Sequence, residues 1–307
     1  MSEALHLSEI KQELSTEYIG RKIFYTETTS STNDDAKASV TSNANTNANA
    51  GYENEVFEGN VFIAENQTNG RGRMFRSWIT EPFTSIAMSI LIKPDMKPEN
   101  APTITPVLAV SAVEAIKLAT GIEVQIKWPN DLFLNGKKLA GILTEMRVDT
   151  DTNVNSKAAV VEGEEEGKKE AEAQRIVASK VKFIVAGIGV NVNQSEMNEE
   201  LATIATSLKI ASGKEFKRED IIAQILNRFE INYKSFLKHG LGYFSGKLKE
   251  HSFIMGKEVV VISGLEMIEG IAEDIDETGN LILRLEDGRV KRIIYGDVGL
   301  KFKEVLK

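Results

Sequence analysis

Between Glu123 and Met146, three apolar stretches (Glu123–Lys127, Leu132–Leu134 and LAGILTEM) are separated only by the short polar turns WPND and NGK. Connections that short leave no room for a crossover helix, so the three segments must pair as antiparallel sheet. Other segments read the same way. KIFYTET (22–28) alternates apolar and polar residues, VFIAE (61–65) and SIAMSILI (85–92) are continuous apolar strands, and VKFIVAGIGVNV (181–192) reads as a strand buried on both faces. Helical spacing marks two further stretches. Thr105 and Pro106 suit the N-cap and first turn of a helix ending at Gly121, and apolar residues recur helically from Glu219 to His239. From about Gly256 the texture changes to EVVVIS, IEGIAEDI, NLILRL and VKRIIYG, punctuated by TGN and DG, which predicts a small β-barrel.

Two segments carry no such pattern. Residues 39–60 are Asn- and Ala-rich, and 149–175 hold eight carboxylates against four cations; both are expected to be mobile insertions. Composition excludes several function classes. The chain has no cysteine, three scattered histidines and a net charge of −8, which leaves disulfides, thiolate metal sites and a broad nucleic-acid footprint without support. No metal ligand set is assigned. The N-terminus lacks the basic start and apolar centre of a secretory signal, and no apolar run reaches the roughly 18 residues of a membrane helix. A cytoplasmic protein without membrane contact is expected.

Against this acidic background, NGRGRMFRSW (69–78) concentrates three arginines, two glycines and one of two tryptophans. Gly70 and Gly72 let backbone N–H groups approach an anion, Arg71, Arg73 and Arg76 offer planar forks for phosphate or carboxylate, and Trp78 offers a stacking face. A solvated loop is the plainer reading. KWPNDLFLNGKKLAGILTE (127–145) gathers Lys127, Asn130, Asp131, Lys137 and Lys138 around two turns. Here the plainer reading makes WPND a Pro-fixed turn, Trp128 a core aromatic and Lys137 exposed decoration.

Taken together, STN (31–33), ENQTNGRGRxxRxW (65–78), KWPNDLFLNGKKLAGIL (127–143) and AGIGVNVN (186–193) resemble the biotin protein ligase family in order and spacing. The resemblance extends from about Lys22 through the C-terminal ISG, IEGIAEDID and IIYGDVGL. It implies an α+β catalytic domain over 1–252, with a mainly antiparallel mixed sheet and helices on one face as in class II aminoacyl-tRNA synthetases. An SH3-like barrel over 253–307 would follow. It also implies a two-step reaction: biotin and MgATP give biotinyl-5′-adenylate and pyrophosphate, and a lysine of a biotin carboxyl carrier protein domain then takes the biotinyl group.

By matching positions, Arg71 and Arg73 would contact biotin's carboxylate and the adenylate phosphate, Arg76 the phosphates, and Trp78 the adenine. Lys138, directly before LAGI, is the expected catalytic lysine, with Lys137 as its competitor. Asp131 would hold Mg²⁺ or accept a proton from the incoming lysine. Ser31, Thr32 and Gln67 would hydrogen-bond the ureido ring, although Ser31 and Thr32 also suit a helix cap. Gly70 belongs to the biotin-binding loop, Gly141 and Leu143 would line the biotin channel, and Asn191 would sit by the adenine or ribose. The glycines at 187 and 189 also suit close strand packing.

One departure is Phe75-Arg76, where the family commonly has Gly-Arg. The cationic loop is expected to be disordered until an anion binds. About twenty residues precede the first strand, too few for the winged helix of the relatives that act as repressors, so no DNA binding is expected. The nearest rival is a lipoate or octanoate ligase on a related fold; the other is a binding module that keeps the pocket without turnover.

Overall fold

The computed structural model describes residues 3–41, 58–149 and 180–301. These form α1 (Leu7–Glu13), β1 (Ile23–Thr29), α2 (Thr32–Thr41), β2 (Val61–Gln67), β3 (Ser85–Ile92), α3 (Ile104–Thr120), β4 (Gln125–Lys127), β5 (Asp131–Leu134), β6 (Lys137–Asp149) and β7 (Lys180–Asn191). They continue with α4 (Leu208–Ser212), α5 (Arg218–His239), α6 (Ser245–Glu250), β8 (Glu258–Ser263), β9 (Glu266–Ile275), β10 (Leu281–Arg284), β11 (Val290–Ile293) and β12 (Asp297–Leu300). Of the two expected insertions, residues 42–57 and 150–179 lie outside the described residues. Residues 39–41, expected in the first insertion, are instead the last turn of α2, where buried Ser39 donates to the Ala36 carbonyl.

The first seven strands form one sheet in the order β1-β2-β3-β7-β6-β5-β4. Only β1 and β2 run parallel; every other neighbouring pair is antiparallel. Side chains alternate across this sheet as strand geometry requires. Ile63, Ile90, Ile184, Ile188 and Val190 join the main core with α3 and α5, while Phe62, Leu91, Phe183 and Val185 join Ala36 of α2 in a separate cluster. The two long helices therefore cover one face, as expected, and the shorter α2 lies on the other. Next to α2, that second face carries small and polar residues.

Helix α3 starts one residue before Thr105, with Thr103 at the N-cap. Thr105 instead shares a 2.8 Å hydrogen bond with Thr144 of β6, so its hydroxyl ties the helix to the sheet rather than capping it. At the other end Gly121 adopts φ 75°, the left-handed turn that stops the helix. The segment Pro98–Thr120 is long and apolar enough to cross a membrane. Its apolar residues are spent on the core: Val107, Leu108, Ala109, Val110, Ala112 and Ile116 are all inaccessible to solvent. A buried ion pair fixes α5 to the sheet, with Arg218 Nη1 2.6 Å from Glu65 Oε2 and the Leu5 amide donating to the same carboxylate. Burial of both charges is tolerable because each finds several partners.

Strands β8–β12 form a second, wholly antiparallel sheet in the order β11-β10-β9-β8-β12, with Val259, Val261, Ala272, Leu281 and Leu283 fully buried. Trp128 joins the two parts. Its ring is buried in the core, and its indole N–H donates to the Gly279 carbonyl in the β9–β10 turn at 2.9 Å.

Candidate active site

Strand register builds the site. Lys127 of β4 stands opposite Asp131 of β5, Asp131 opposite Gly141 of β6, and Gly141 opposite Gly189 of β7. Residues opposed in an antiparallel sheet project to the same side, so this row runs across four strands on the face away from α3 and α5. A parallel row two residues along places Leu143 opposite Gly187, and Gly187 opposite Ser89.

The glycines are there for side chains that cross over them. A Cβ on Gly189 would lie 2.4 Å from Trp78 Cε2, and one on Gly187 would lie 2.2 Å from Asn33 Oδ1. Close approach of Trp78 and Asn33, rather than strand packing, is what excludes a side chain. Trp78 lies flat across Gly141 and Gly189, its indole N–H buried and without a hydrogen-bond partner among the described residues.

The arginine loop closes on itself through backbone hydrogen bonds. Trp78 N donates to Gly70 O at 2.8 Å and Gly72 N to Arg76 O at 2.7 Å, enclosing a short 3-10 turn at Arg73–Phe75. The close return at Gly70 explains that glycine, since a Cβ there would lie 2.4 Å from the Trp78 carbonyl oxygen. Carboxylates take the place of a ligand in balancing its charge. Arg71 Nη2 lies 2.7 Å from Asp34 Oδ1 and 3.1 Å from Glu145 Oε2, and Lys37 pairs with the same two carboxylates at 2.9 and 3.0 Å. Burial works against the charge of Arg71, but the hydrogen bonds and charges of Asp34 and Glu145 outweigh it and hold the guanidinium above its ordinary value. Burial likewise opposes the charges of Asp34 and Glu145, but Lys37 and Arg71 beside Asp34, and the Asn33 amide with Lys37 and Arg71 beside Glu145, still hold both below the usual carboxylate range.

Arg73 points the other way. Its Nη1 donates to Asn130 Oδ1 at 3.1 Å; burial pulls it below its ordinary value, Asp297 and Asp131 oppose that pull, and Arg76 reinforces it. Arg76 reaches across to Asp297 of β12, so the barrel contributes a carboxylate to the loop. Lys138 Nζ lies 2.8 Å from Asp131 Oδ1 and 5.7 Å from the Trp78 ring centre. The geometry separates the two lysines: Lys137 turns outward and donates to the Ala202 carbonyl at 2.6 Å.

A polar chain leads from the loop into the cleft. Glu145 Oε2 accepts from Asn33 Nδ2 at 2.7 Å, Ser89 Oγ lies 2.6 Å from Asn33 Oδ1 and 2.7 Å from Thr32 Oγ1, and Thr32 N donates to Gln67 Oε1 at 3.0 Å. Asn33 Nδ2 also lies 3.3 Å from the Leu143 carbonyl. Ser31 is buried at the start of α2, and its carbonyl accepts from the amides of Asp34 and Asp35, so it occupies the cap position through its backbone. Asn191 is set apart, buried and tied to the Thr206 carbonyl at 3.0 Å and to Gln194 at 3.2 Å.

This arrangement sorts the chain among known proteins. Residues 36–157 match the biotin/lipoate A/B protein ligase family, and residues 254–301 match the biotin protein ligase C-terminal domain. The bifunctional ligase/repressor BirA of Bacillus spizizenii is 33% identical over 295 residues, which span 95% of this chain and 78% of that protein. The chain belongs to the biotin protein ligase family. A biotin–[acetyl-CoA-carboxylase] ligase of Mycobacterium tuberculosis is 30% identical over 78% of this family member and 79% of its own length. Among solved structures, the biotin protein ligase of Aquifex aeolicus in complex with biotin and ATP matches with a TM-score of 0.68 at 27% identity, covering 92% of this chain and all of that one.

Several residues of the site carry weaker sequence signals. Glu145 lies two and four residues beyond Leu143 and Gly141, so strand alternation alone places it on their face. Asn33 and Asn130 sit inside the STN and KWPND motifs. Asp297 sits inside IIYGDVGL, whereas Ser89 has no local signal, because only the register of β3 brings it beside Thr32 and Asn33.

Proposed function

We propose that this chain activates biotin with ATP as biotinyl-5′-adenylate and transfers the biotinyl group to a lysine of a biotin carboxyl carrier protein domain. One observation carries the reading. Arg73, Arg76, Lys127 and Lys138 gather at one end of the cleft around Asp131 and Asp297, beside the Trp78 ring and a floor of glycine.

The first step joins two anions. A carboxylate oxygen of biotin attacks the α-phosphorus, the bond to the β-phosphate breaks, and pyrophosphate leaves with the bonding electrons. Repulsion between carboxylate and triphosphate is the main barrier to approach, and fixed cations in a partly dry cleft offset it without reorganisation. Lys138, bracketed by Asp131 and Trp78, would reach the phosphoryl oxygens, and Arg73 would bind across the carboxylate and α-phosphate. The flat Trp78 face suits the adenine. Ser31, Thr32 and Gln67 would supply the hydroxyls and amide that a buried ureido ring requires. In the second step the acceptor amine gives up its proton and attacks the acyl carbonyl, releasing AMP; Asp131 would receive that proton.

Magnesium would enter as part of MgATP. Among the described residues no group of three or more carboxylates or histidines forms a metal site. Such a donor set fits an ion held mainly by phosphate oxygens, with Asp131 as a single protein ligand.

Incubating the protein with a biotin carboxyl carrier domain, MgATP and one acid at a time, then weighing the carrier by mass spectrometry, tests the proposal. Mass gained with biotin, and lost when the carrier's acceptor lysine is replaced by arginine, is the expected result. Gain with lipoate or octanoate in its place would assign a different acid, and no gain with any of them would remove the ligase reading.

A further inference from the structure

Lys127 is a cleft cation that the two-step reading leaves without a task. It stands at the end of the Lys127–Asp131–Gly141–Gly189 row, half-buried, with its ammonium 4.8 Å from the centre of the Phe133 ring. Among the described residues it has no ion pair and no hydrogen bond, whereas Lys138 holds Asp131 and Arg76 holds Asp297. Burial pushes Lys127 down from its ordinary value; Asp131 and Asp297 oppose this, and Lys138 and Arg76 add to it. Asp131, which stands opposite it across the strands, is therefore one of four charged groups whose fields reach it. A half-buried ammonium beside other cations persists at a cost unless an anion arrives to meet it.

We infer that Lys127 is a catalytic residue that binds the pyrophosphate leaving group during adenylation. Its place in the row supports this assignment. Lys138 and Trp78 overlie Gly141 and Gly189, where the reacting carboxylate and α-phosphate would sit, and Lys127 lies beyond Asp131, on the side of Arg76 and Asp297. The β- and γ-phosphates extend away from the attacked phosphorus and gain negative charge as the bridging P–O bond breaks, so an unpaired cation at that end stabilises the transition state more than bound ATP. Pyrophosphate is gone before the acceptor lysine arrives, and Lys127 accordingly serves only the first step.

This inference rests on the adenylation reading, and the two half-reactions separate them. For Lys127→Gln, biotin-dependent exchange of labelled pyrophosphate into ATP should fall by about 10²-fold with a raised KM for pyrophosphate. Transfer from chemically prepared biotinyl-5′-adenylate to the lysine of a biotin carboxyl carrier domain should stay within about threefold, which also shows that the variant is folded. Lys127→Arg should restore exchange and carry it to higher pH, because guanidinium keeps its proton where a lowered ammonium loses it. Unchanged exchange, or an equal fall in both half-reactions, would overturn the assignment. Failure of the unsubstituted chain to exchange with biotin would instead overturn adenylation itself, and this proposal with it.

Discussion

At one end of the cleft, Arg71 and Lys37 face Asp34 and Glu145, two cations against two carboxylates within 3.1 Å. At the other, four cations gather around Asp131 and Asp297, and Arg73, two residues from Arg71, donates to the neutral side chain of Asn130. Residues of one short loop thus serve opposite ends. The balanced cluster engages Nη2 of Arg71 and acts as a clasp, fastening the loop to α2 and β6. The unbalanced cluster is incomplete without an anionic ligand. Spacing alone made the three arginines look equivalent; their partners make them different.

The contrast can be broken most forcefully at its catalytic end. Lys138→Ala should lower biotin-dependent pyrophosphate exchange by about 10²- to 10³-fold, the scale of removing one donor to a developing oxyanion, while Lys137→Ala changes it less than about twofold because that ammonium meets only the Ala202 carbonyl. Comparable losses from both would erase the distinction between these neighbours.

At the clasp, Arg71→Gln and Glu145→Gln should each raise KM for biotin about tenfold, as expected for a charged hydrogen bond that holds part of a site in place. The double variant should be little worse than either single one, since both remove the same contact. Additive losses measured in that cycle would mean that Arg71 works on the ligand independently of Glu145.

On the floor between the two ends the effect falls on stability. Gly189→Ala should cost about 1–3 kcal/mol, because the new methyl group would overlap Trp78, and should change tryptophan fluorescence. An unchanged melting temperature and spectrum would show that Trp78 is free to leave the sheet. Least affected should be Trp128→Phe, which deletes the hydrogen bond to Gly279; about 1 kcal/mol of stability and nearly full exchange are expected, and a large loss of exchange would tie the barrel's docking to the chemistry.

Much of this was legible from local pattern. Short turns dictated the antiparallel β4–β5–β6 unit, and continuous apolar runs marked β3 and β7 almost to the residue. The start of α3 was misplaced because Thr105 and Pro106 mimic a cap, while the 3-10 turn at Pro98–Thr103 carries the chain into the helix instead. The partners of the arginine loop could not be read from its own residues, since Asp34, Glu145 and Asp297 lie 37, 74 and 221 positions from the arginines they meet. What period-2 alternation did offer, the shared face of Gly141, Leu143 and Glu145, identifies the clasp from sequence.

The central claim, that Arg73 serves the reacting anions while Arg71 holds the loop, is tested most directly by steady-state pyrophosphate exchange with Arg71→Gln and Arg73→Gln side by side. The account predicts that Arg73→Gln lowers kcat with KM for biotin nearly unchanged, and that Arg71→Gln raises KM for biotin with kcat largely retained. The opposite pattern, or the same pattern in both, would contradict it.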